Sequence, residues 1–179
     1  MATQEVEVDV SAVWHLLLDA GKATEEQLQD VYEEHERTGK AFTTVLYNYG
    51  IVTEEELLQL MADQLGTEVV DAKEANPGKE LVEKIGSSIA RMYGIVPLKE
   101  EEGVIYVAAK DPLNHRMIDE LYYVLGQDCQ VMVAKPAQVD ELLDLLYPQE
   151  VESVDNVLGE LEQSDIGISW KEDAEEENV

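Results

Sequence analysis

Residues 12–64 contain an internal repeat, which limits how this chain can fold more than any other feature of the sequence. Ala12–His35 aligns with Ala41–Gln64 at an offset of 29 residues. Seven of the 24 aligned positions are identical: Ala12/Ala41, Leu17/Leu46, Gly21/Gly50, Thr24/Thr53, Glu25/Glu54, Glu26/Glu55 and Leu28/Leu57. Such a duplication is typical of tandem supersecondary units that bury their apolar faces against each other.

Each copy of the repeat has the pattern of a helix, a tight turn and a second helix. Apolar side chains recur at helical spacing, which places them on one face of each helix. In the first helices they are Val13, Leu16, Leu17 and Ala20, and Phe42, Val45, Leu46 and Tyr49. In the second helices the stripes are Leu28, Val31, Tyr32 and His35, and Leu57, Leu60, Met61 and Gln64.

Glycines and capping residues mark the helix ends in both copies. Gly21 and Gly50 stand where a first helix ends in a left-handed residue, a conformation that glycine adopts readily. Thr24 and Thr53 each precede a Gln or Glu by three residues, which is the spacing of a capping box. The sequence therefore predicts four short helices packed as two hairpins.

The pattern changes after Gly66 to short β-branched runs between helical segments. The order β-α-α-β-β-α-β-α predicts a small mixed sheet with helices packed against it. We expect the sixth of these elements to present an apolar stripe of Ile118, Leu121, Tyr122 and Leu125. The predicted elements are a strand over Glu68–Asp71, helices over Pro77–Ile85 and Ser87–Tyr93, strands over Ile95–Lys99 and Val104–Ala109, a helix with Asp111 as N-cap and Pro112 at its first position, a strand over Gln130–Ala134 and a helix from Pro136.

The fold class predicted for the whole chain is α+β, with four segments. A disordered N-terminus spans residues 1–10, and the helical tandem-repeat subdomain spans residues 11–67. A small α/β subdomain with a mixed sheet spans residues 68–147, and a flexible acidic linker or tail spans residues 148–179. The tail prediction rests on charge, because residues 150–179 hold eleven acidic side chains and one basic one.

The chain as a whole is strongly acidic. Forty Asp and Glu oppose twelve Lys and Arg, giving a net charge of -28. This charge repels nucleic acid phosphates and anionic lipids, so we expect no nucleic acid partner and no direct membrane insertion. No apolar run reaches membrane-spanning length, and the single cysteine, Cys129, forms no internal disulfide. We therefore expect a cytoplasmic protein.

Signatures of catalysis are missing from the sequence. The pairs Gly21-Lys22, Gly39-Lys40 and Gly78-Lys79 lack the earlier glycine and the following hydroxyl residue of a nucleotide-binding P-loop. The three histidines are scattered without a paired-ligand spacing, so no metal site is predicted. We expect no catalytic residues, no cofactor and no enzymatic activity in this chain.

Two runs that follow the tandem helical motif carry a family resemblance. They are IARMYGIVPLKEEEGVIYVAAKDPLN and VMVAKPAQVDELLDLLY. With the motif, they resemble the N-terminal region of the hexameric ATPases that drive type II secretion and type IV pilus assembly, over about residues 11–147. The features that match in order and spacing are Ala90-Arg91, Tyr93, Pro97-Leu98, Ala108, Asp111-Pro112 and Tyr147.

The resemblance implies a cytoplasmic regulatory and docking module. Its partner would be a cytoplasmic domain of the inner-membrane platform protein, which would recruit it to the inner membrane face. The full-length protein would be hexameric through an ATPase domain beyond residue 179. The alternatives are a cyclic di-GMP receptor with a degenerate motif and a free-standing adaptor.

In a subset of the family, the helical repeat binds cyclic di-GMP through a motif that begins Arg-Leu-Gly. The residues here at matching or neighbouring positions are Trp14, Leu17, Gly21, His35, Leu46, Gly50 and Gln64. The opening triplets, however, are Ala12-Val13-Trp14 and Ala41-Phe42-Thr43.

The loss of the opening arginine matters for the chemistry of binding. A guanine edge and a phosphate are best held by the planar, charged fork of arginine. The first 149 residues carry 29 acidic and 11 basic side chains, a net charge of -18 that repels a dianion. We therefore expect the fold to be kept and the ligand site to be lost. A receptor in which Trp14, Lys40 or His35 replaces arginine is the rival hypothesis.

Overall fold

The computed structural model describes residues 8–149, so most of the predicted N-terminal segment and acidic tail lies outside the described residues. The α+β class is confirmed, because this part of the chain combines eight α-helices with a three-stranded mixed sheet. In chain order the elements are α1 (Val10–Asp19), α2 (Glu25–Thr38), α3 (Phe42–Asn48), α4 (Glu54–Leu65), a 3-10 turn (Ala72–Glu74), α5 (Lys79–Ile85), α6 (Ser87–Tyr93), β1 (Ile95–Glu101), β2 (Val104–Ala109), α7 (His115–Leu125), β3 (Asp128–Val133) and α8 (Pro136–Leu146).

Capping boxes begin the second helix of each repeat, as predicted. The Thr24 hydroxyl accepts the backbone N–H of Gln27 at 3.3 Å, and the Gln27 side chain accepts the Thr24 N–H at 2.9 Å. Thr53 and Glu56 form the same pair of bonds at 3.2 and 2.9 Å. Each box satisfies two backbone donors that a helix N-terminus otherwise leaves without partners.

The turn inside each repeat ends its first helix at a left-handed glycine. Gly21 has φ +66° and Gly50 has φ +68°. The Gly50 N–H donates to Tyr47 O at 3.0 Å, and the Ile51 N–H donates to Leu46 O at 3.2 Å. Gly21 and Lys22 repeat this pair of bonds, so both turns have Schellman geometry.

The apolar stripes of α2 and α4 differ in part from the prediction. Leu28, Val31, Leu57 and Met61 are buried, but Gln64 is exposed. In addition, α4 buries Leu58 and Ala62, because it contacts β3 as well as α1. A single stripe therefore describes α4 poorly, since it packs against two neighbours.

The sheet has the order β1-β2-β3 and is mixed. β1 and β2 pair antiparallel and are joined by Glu102 and Gly103, whose φ values are +51° and +81°. β2 and β3 pair parallel, in register from Val104 with Asp128 to Ala109 with Val133. The hairpin and the mixed sheet agree with the sequence prediction.

The predicted strand over Glu68–Asp71 is wrong. This segment forms only a single parallel bridge, between Val69 and Val133. The extended run is short because the Asp71 carboxylate accepts the Lys73 N–H at 2.9 Å and starts the 3-10 turn. Side-chain capping of this kind competes with strand pairing.

The predicted N-cap at Asp111 is also wrong. α7 begins at His115, and its N-cap is Asn114, which accepts the Met117 N–H at 3.1 Å. Asp111 is instead buried, and its Oδ2 accepts the N–H of Asp9, 102 residues earlier, at 3.3 Å. It therefore links the β2–α7 connection to the N-terminus of α1.

The apolar stripe predicted for α7 is only partly correct. Leu121 is fully buried, but Tyr122 is 52% exposed. Met117, which the stripe omitted, is buried in its place. The buried face of α7 is thus rotated from the predicted one.

Two hydrophobic cores meet in this structure. One lies among α1–α4 and the other around the sheet and α5–α8. Leu113 and Val133 come from the α/β part of the chain, yet they pack in the helical core. We call Asp111, Leu113 and Val133 the joint. Residues 8–147 lie in one compact unit, and the joint connects its two cores.

Replacing Gly50 tests the geometry of the repeat turn. Gly50→Val should lower the free energy of unfolding by about 1–2 kcal/mol, because a left-handed residue with a Cβ is strained. A Cβ built at Gly50 meets no heavy atom within 4 Å, so the cost comes from the backbone and not from a clash. The loss of unfolding free energy is measured by urea unfolding, with circular dichroism as the readout. Gly50→Asn is the control, because asparagine tolerates this conformation; equal losses for both variants would contradict the assignment.

The Asp111 carboxyl makes stability depend on pH. Burial raises its pKa from 3.8 to about 6, against the opposing effect of the hydrogen bond from the Asp9 N–H. The folded state therefore holds this proton more tightly than the unfolded state. The stability that it contributes is complete below about pH 4 and is lost as the pH rises through about 6.

Asp111→Asn removes this titration while keeping an oxygen for the Asp9 N–H. The variant should gain stability relative to the parent chain as the pH rises from about 4 to about 7. Urea unfolding of both proteins across this range measures the difference in unfolding free energy. If the difference in unfolding free energy between the two proteins stayed constant with pH, the raised pKa of the buried Asp111 carboxyl would be contradicted.

Candidate binding face of the helical repeat

The seven residues selected by the motif occupy different environments. Leu17 and Leu46 are completely buried, so they stabilise the hairpins and present no surface to a ligand. Gly21 and Gly50 lie in exposed turns with open space around their Cα atoms. These four positions serve the fold of the repeat.

The remaining three are Trp14, His35 and Gln64. Trp14 and His35 are half-buried and meet through Phe42, whereas Gln64 is exposed in the last turn of α4. The contacts described for residues 8–149 do not connect Gln64 with the other two. The structure thus brings together two of the seven candidates.

An aromatic cluster joins α1, α2 and α3. It consists of Trp14, Tyr32, His35 and Phe42. Trp14 stacks on Phe42, with centroids 6.3 Å apart and planes 18° apart, and meets the edge of Tyr32 at 6.4 Å and 72°. Both are favourable geometries for aromatic pairs. Trp14 therefore uses one ring face to hold the first hairpin against α3.

His35 is fixed by the backbone of the next turn. Its Nδ1 lies 2.6 Å from the carbonyl oxygen of Lys40, and because a carbonyl only accepts, Nδ1 carries the hydrogen and donates it. Its ring also meets the Phe42 edge at 6.2 Å and 88°. His35 thus links the end of α2 to the start of α3.

An open groove runs beside the aromatic cluster. Trp14 and Tyr32 border it, together with Val10, Ser11, His15 and Gln29. The Trp14 Nε1–H donates to the Glu25 carboxylate at 3.4 Å. None of the side chains that line the groove in the described part of the chain is Lys or Arg. The groove offers aromatic surface, and the charged side chain that bonds to its tryptophan, Glu25, is an acid.

Two of the three Lys and Arg side chains of the repeat pair with acids, and the ion pairs of the described residues include none for the third, Lys40. Arg37 Nε donates to Glu34 at 3.1 Å, and Lys22 lies 3.9 Å from Glu56. Ala12 and Ala41 stand where the motif has arginine and supply no donor. An anionic ligand at this face would therefore meet no charged fork comparable to arginine.

Sequence reasoning missed the partnership of Tyr32 and Phe42 with Trp14. The alignment of the two copies hides it, because the positions matching Trp14 and Tyr32 in the second copy are Thr43 and Met61. The composition nevertheless singled out two of these residues, because Phe and Trp are rare in this chain. Phe42 is the only phenylalanine of the chain, and Trp14 is one of two tryptophans.

The α/β half carries a match to a known domain family. The MshEN domain model matches residues 65–153, which include the mixed sheet and helices α5–α8. This segment matches the MshEN domain family. The MshEN segment thus begins where the tandem helical repeat ends.

Relatives of the chain are N-terminal regions of pilus and secretion ATPases. The type IV pilus assembly ATPase PilB of Myxococcus xanthus (strain DK1622) is 23% identical over 157 residues, which are 88% of this chain and 28% of that protein. Type II secretion system protein E of Xanthomonas campestris pv. campestris is 23% identical over 137 residues, 74% of this chain and 24% of that protein. The chain therefore spans less than a third of either relative.

A solved structure supports the fold beyond the MshEN segment. MshE, solved with the cyclic dinucleotide cdg, superposes with a TM-score of 0.62 at 23% identity, covering 75% of this chain and 98% of that one. At this identity the likeness establishes the shared fold. Among the helices of residues 8–149, none is long and apolar enough to cross a membrane.

Proposed function

We propose that this chain is the non-catalytic regulatory and docking module of a pilus-assembly or secretion ATPase, and that it binds a cytoplasmic domain of the inner-membrane platform. One observation carries the proposal: the chain aligns with PilB over 88% of its own length but spans only 28% of that protein. The match is to the N-terminal domain, outside the catalytic part. In this proposal, a non-catalytic N-terminal domain contributes to the motor by binding a partner protein.

Burial keeps three titratable side chains of the described residues neutral. Burial raises the pKa of Cys129 to about 11, and it raises the pKa of Tyr47 and Tyr147 to about 12. Their neutral forms predominate at neutral pH, and a protonated thiol is a poor nucleophile. The Tyr147 hydroxyl donates to Val82 O at 2.8 Å, which joins α8 to α5. These groups act in packing.

In this proposal the chain is cytoplasmic, and its platform partner brings it to the inner membrane face. The ATPase domain that follows it would form the hexamer. A free-standing adaptor without a motor is the alternative. The gene sequence beyond Val179 distinguishes the two: a downstream P-loop supports the motor, and a stop codon supports the adaptor.

Binding to the platform protein is the direct test. The purified chain should bind the platform protein reconstituted in zwitterionic nanodiscs, and added salt should weaken binding if acidic side chains contribute. Biolayer interferometry measures it, with empty nanodiscs as the control. Absence of binding at both low and moderate salt would contradict the proposal.

A cyclic di-GMP receptor is the second candidate, because the fold matches MshE solved with cdg and a half-buried tryptophan borders an open groove. Charge argues against it. Glu25 holds the Trp14 indole N–H, and a dianion approaching that ring would be repelled.

Titration of the chain with cyclic di-GMP decides between the candidates. We expect no saturable heat in calorimetry and no change in Trp14 fluorescence, with Trp170→Phe removing the second tryptophan signal. Both expected results follow from the absence of guanidinium groups at Ala12 and Ala41. A saturable micromolar isotherm that is lost in Trp14→Ala would establish the receptor instead.

A further inference from the structure

One face of α7 exposes aromatic surface that the fold leaves uncovered. Met117 and Leu121 pack in the core, whereas Tyr122 is 52% and Tyr123 81% exposed. The two tyrosine rings meet edge to face, with centroids 5.6 Å apart and planes at 83°. Adjacent helical residues point about 100° apart, so both rings cannot enter the same core. The pair forms a preorganised apolar projection.

The pair borders a groove between α7 and the start of β3. Ile118, Asp119, Tyr122 and Tyr123 line one side, and Asp128 and Cys129 line the other. We call this the tyrosine groove. β3 is an edge strand, and among the described residues its outer side pairs only through the Val69–Val133 bridge, at the opposite end. Among the described residues, the outer edge of β3 beside Asp128 thus has no strand partner.

The charge of the tyrosine groove is negative. Asp119 and Asp128 contribute two carboxylates, and no Lys or Arg lies among its described lining residues. The nearest cation along α7, Arg116, donates to Glu120 on the same helix at 2.9 Å. Exposed tyrosine faces attract cations, and carboxylates beside them strengthen that preference.

The exposed tyrosine rings and the two carboxylates together indicate which class of molecule the tyrosine groove can bind. A nucleotide or an anionic lipid would be repelled by the two carboxylates. A second copy of the chain would bring Asp119 and Asp128 near the same negative groove, which disfavours a symmetric pair. A peptide segment rich in Arg or Lys matches both the tyrosine rings and the acids.

We propose that the tyrosine groove docks a basic segment of the protein partner, whose Arg or Lys side chains lie over Tyr122 and Tyr123 and pair with Asp119 and Asp128. This inference rests on the proposed docking function and assigns it to a surface. Tyrosine-centred contacts of this kind often dominate the energetics of an interface.

Charge and ring variants of the complete chain test this assignment. Asp119→Lys/Asp128→Lys and, separately, Tyr123→Ser should each weaken binding to the nanodisc-reconstituted platform protein by about tenfold or more. Asp30→Lys/Glu33→Lys on exposed α2 is the matched charge control. Met92→Ser, at a side chain 68% exposed, is the matched apolar control. Both controls should bind within about twofold of the parent.

The outcomes separate this inference from the proposed function. Parent-level binding by the groove variants overturns the groove and leaves platform docking intact. An equal loss of binding affinity in the charge control also overturns the assignment to the tyrosine groove, because the change in net charge alone then explains the effect. No binding by the parent chain overturns both. Circular dichroism verifies folding of each variant, and Tyr123→Ser, at an exposed site, keeps the test decisive if the double variant unfolds.

Discussion

The burial of Leu113 and Val133 in the helical core is the interaction on which the rest of the structure depends. Both residues belong to the α/β part of the chain, and they are 6% and 0% exposed. Around them, Asp111 accepts the N–H of Asp9, and Val133 exchanges backbone bonds with the segment at Val69. Together with the packing of α4 on β3, these contacts hold the repeat helices to the sheet in addition to the chain connection after α4.

This joint gives the proposed function a physical basis. A module that couples a motor to its partner must transmit position, and two cores that pack together do so better than two flexibly linked ones. Two of the grooves of this unit differ in chemistry. The groove beside Trp14 has no Lys or Arg among its described lining residues, whereas the tyrosine groove combines exposed rings with carboxylates, which suits the basic segment proposed for it.

Local signals were predictable from the sequence, and long-range contacts were not. The capping boxes at Thr24 and Thr53 and the glycine turns follow from residues a few positions apart. Asp111 failed as a predicted N-cap because its hydrogen-bond partner, the N–H of Asp9, lies 102 residues earlier and is brought near only by tertiary packing. The loss of the opening arginine in each copy was visible in the sequence, but the meeting of Trp14 with Phe42 depends on how three helices pack.

Native-state hydrogen exchange in low denaturant tests the central claim, that both cores belong to one body held by the joint. Amides of the helical core, such as Leu17 and Leu46, and those of the sheet, such as Ile105 and Val107, should converge on one global free energy of opening. Exchange of the α1–α4 amides through a separate opening of lower free energy, while the sheet amides stay protected, would contradict it.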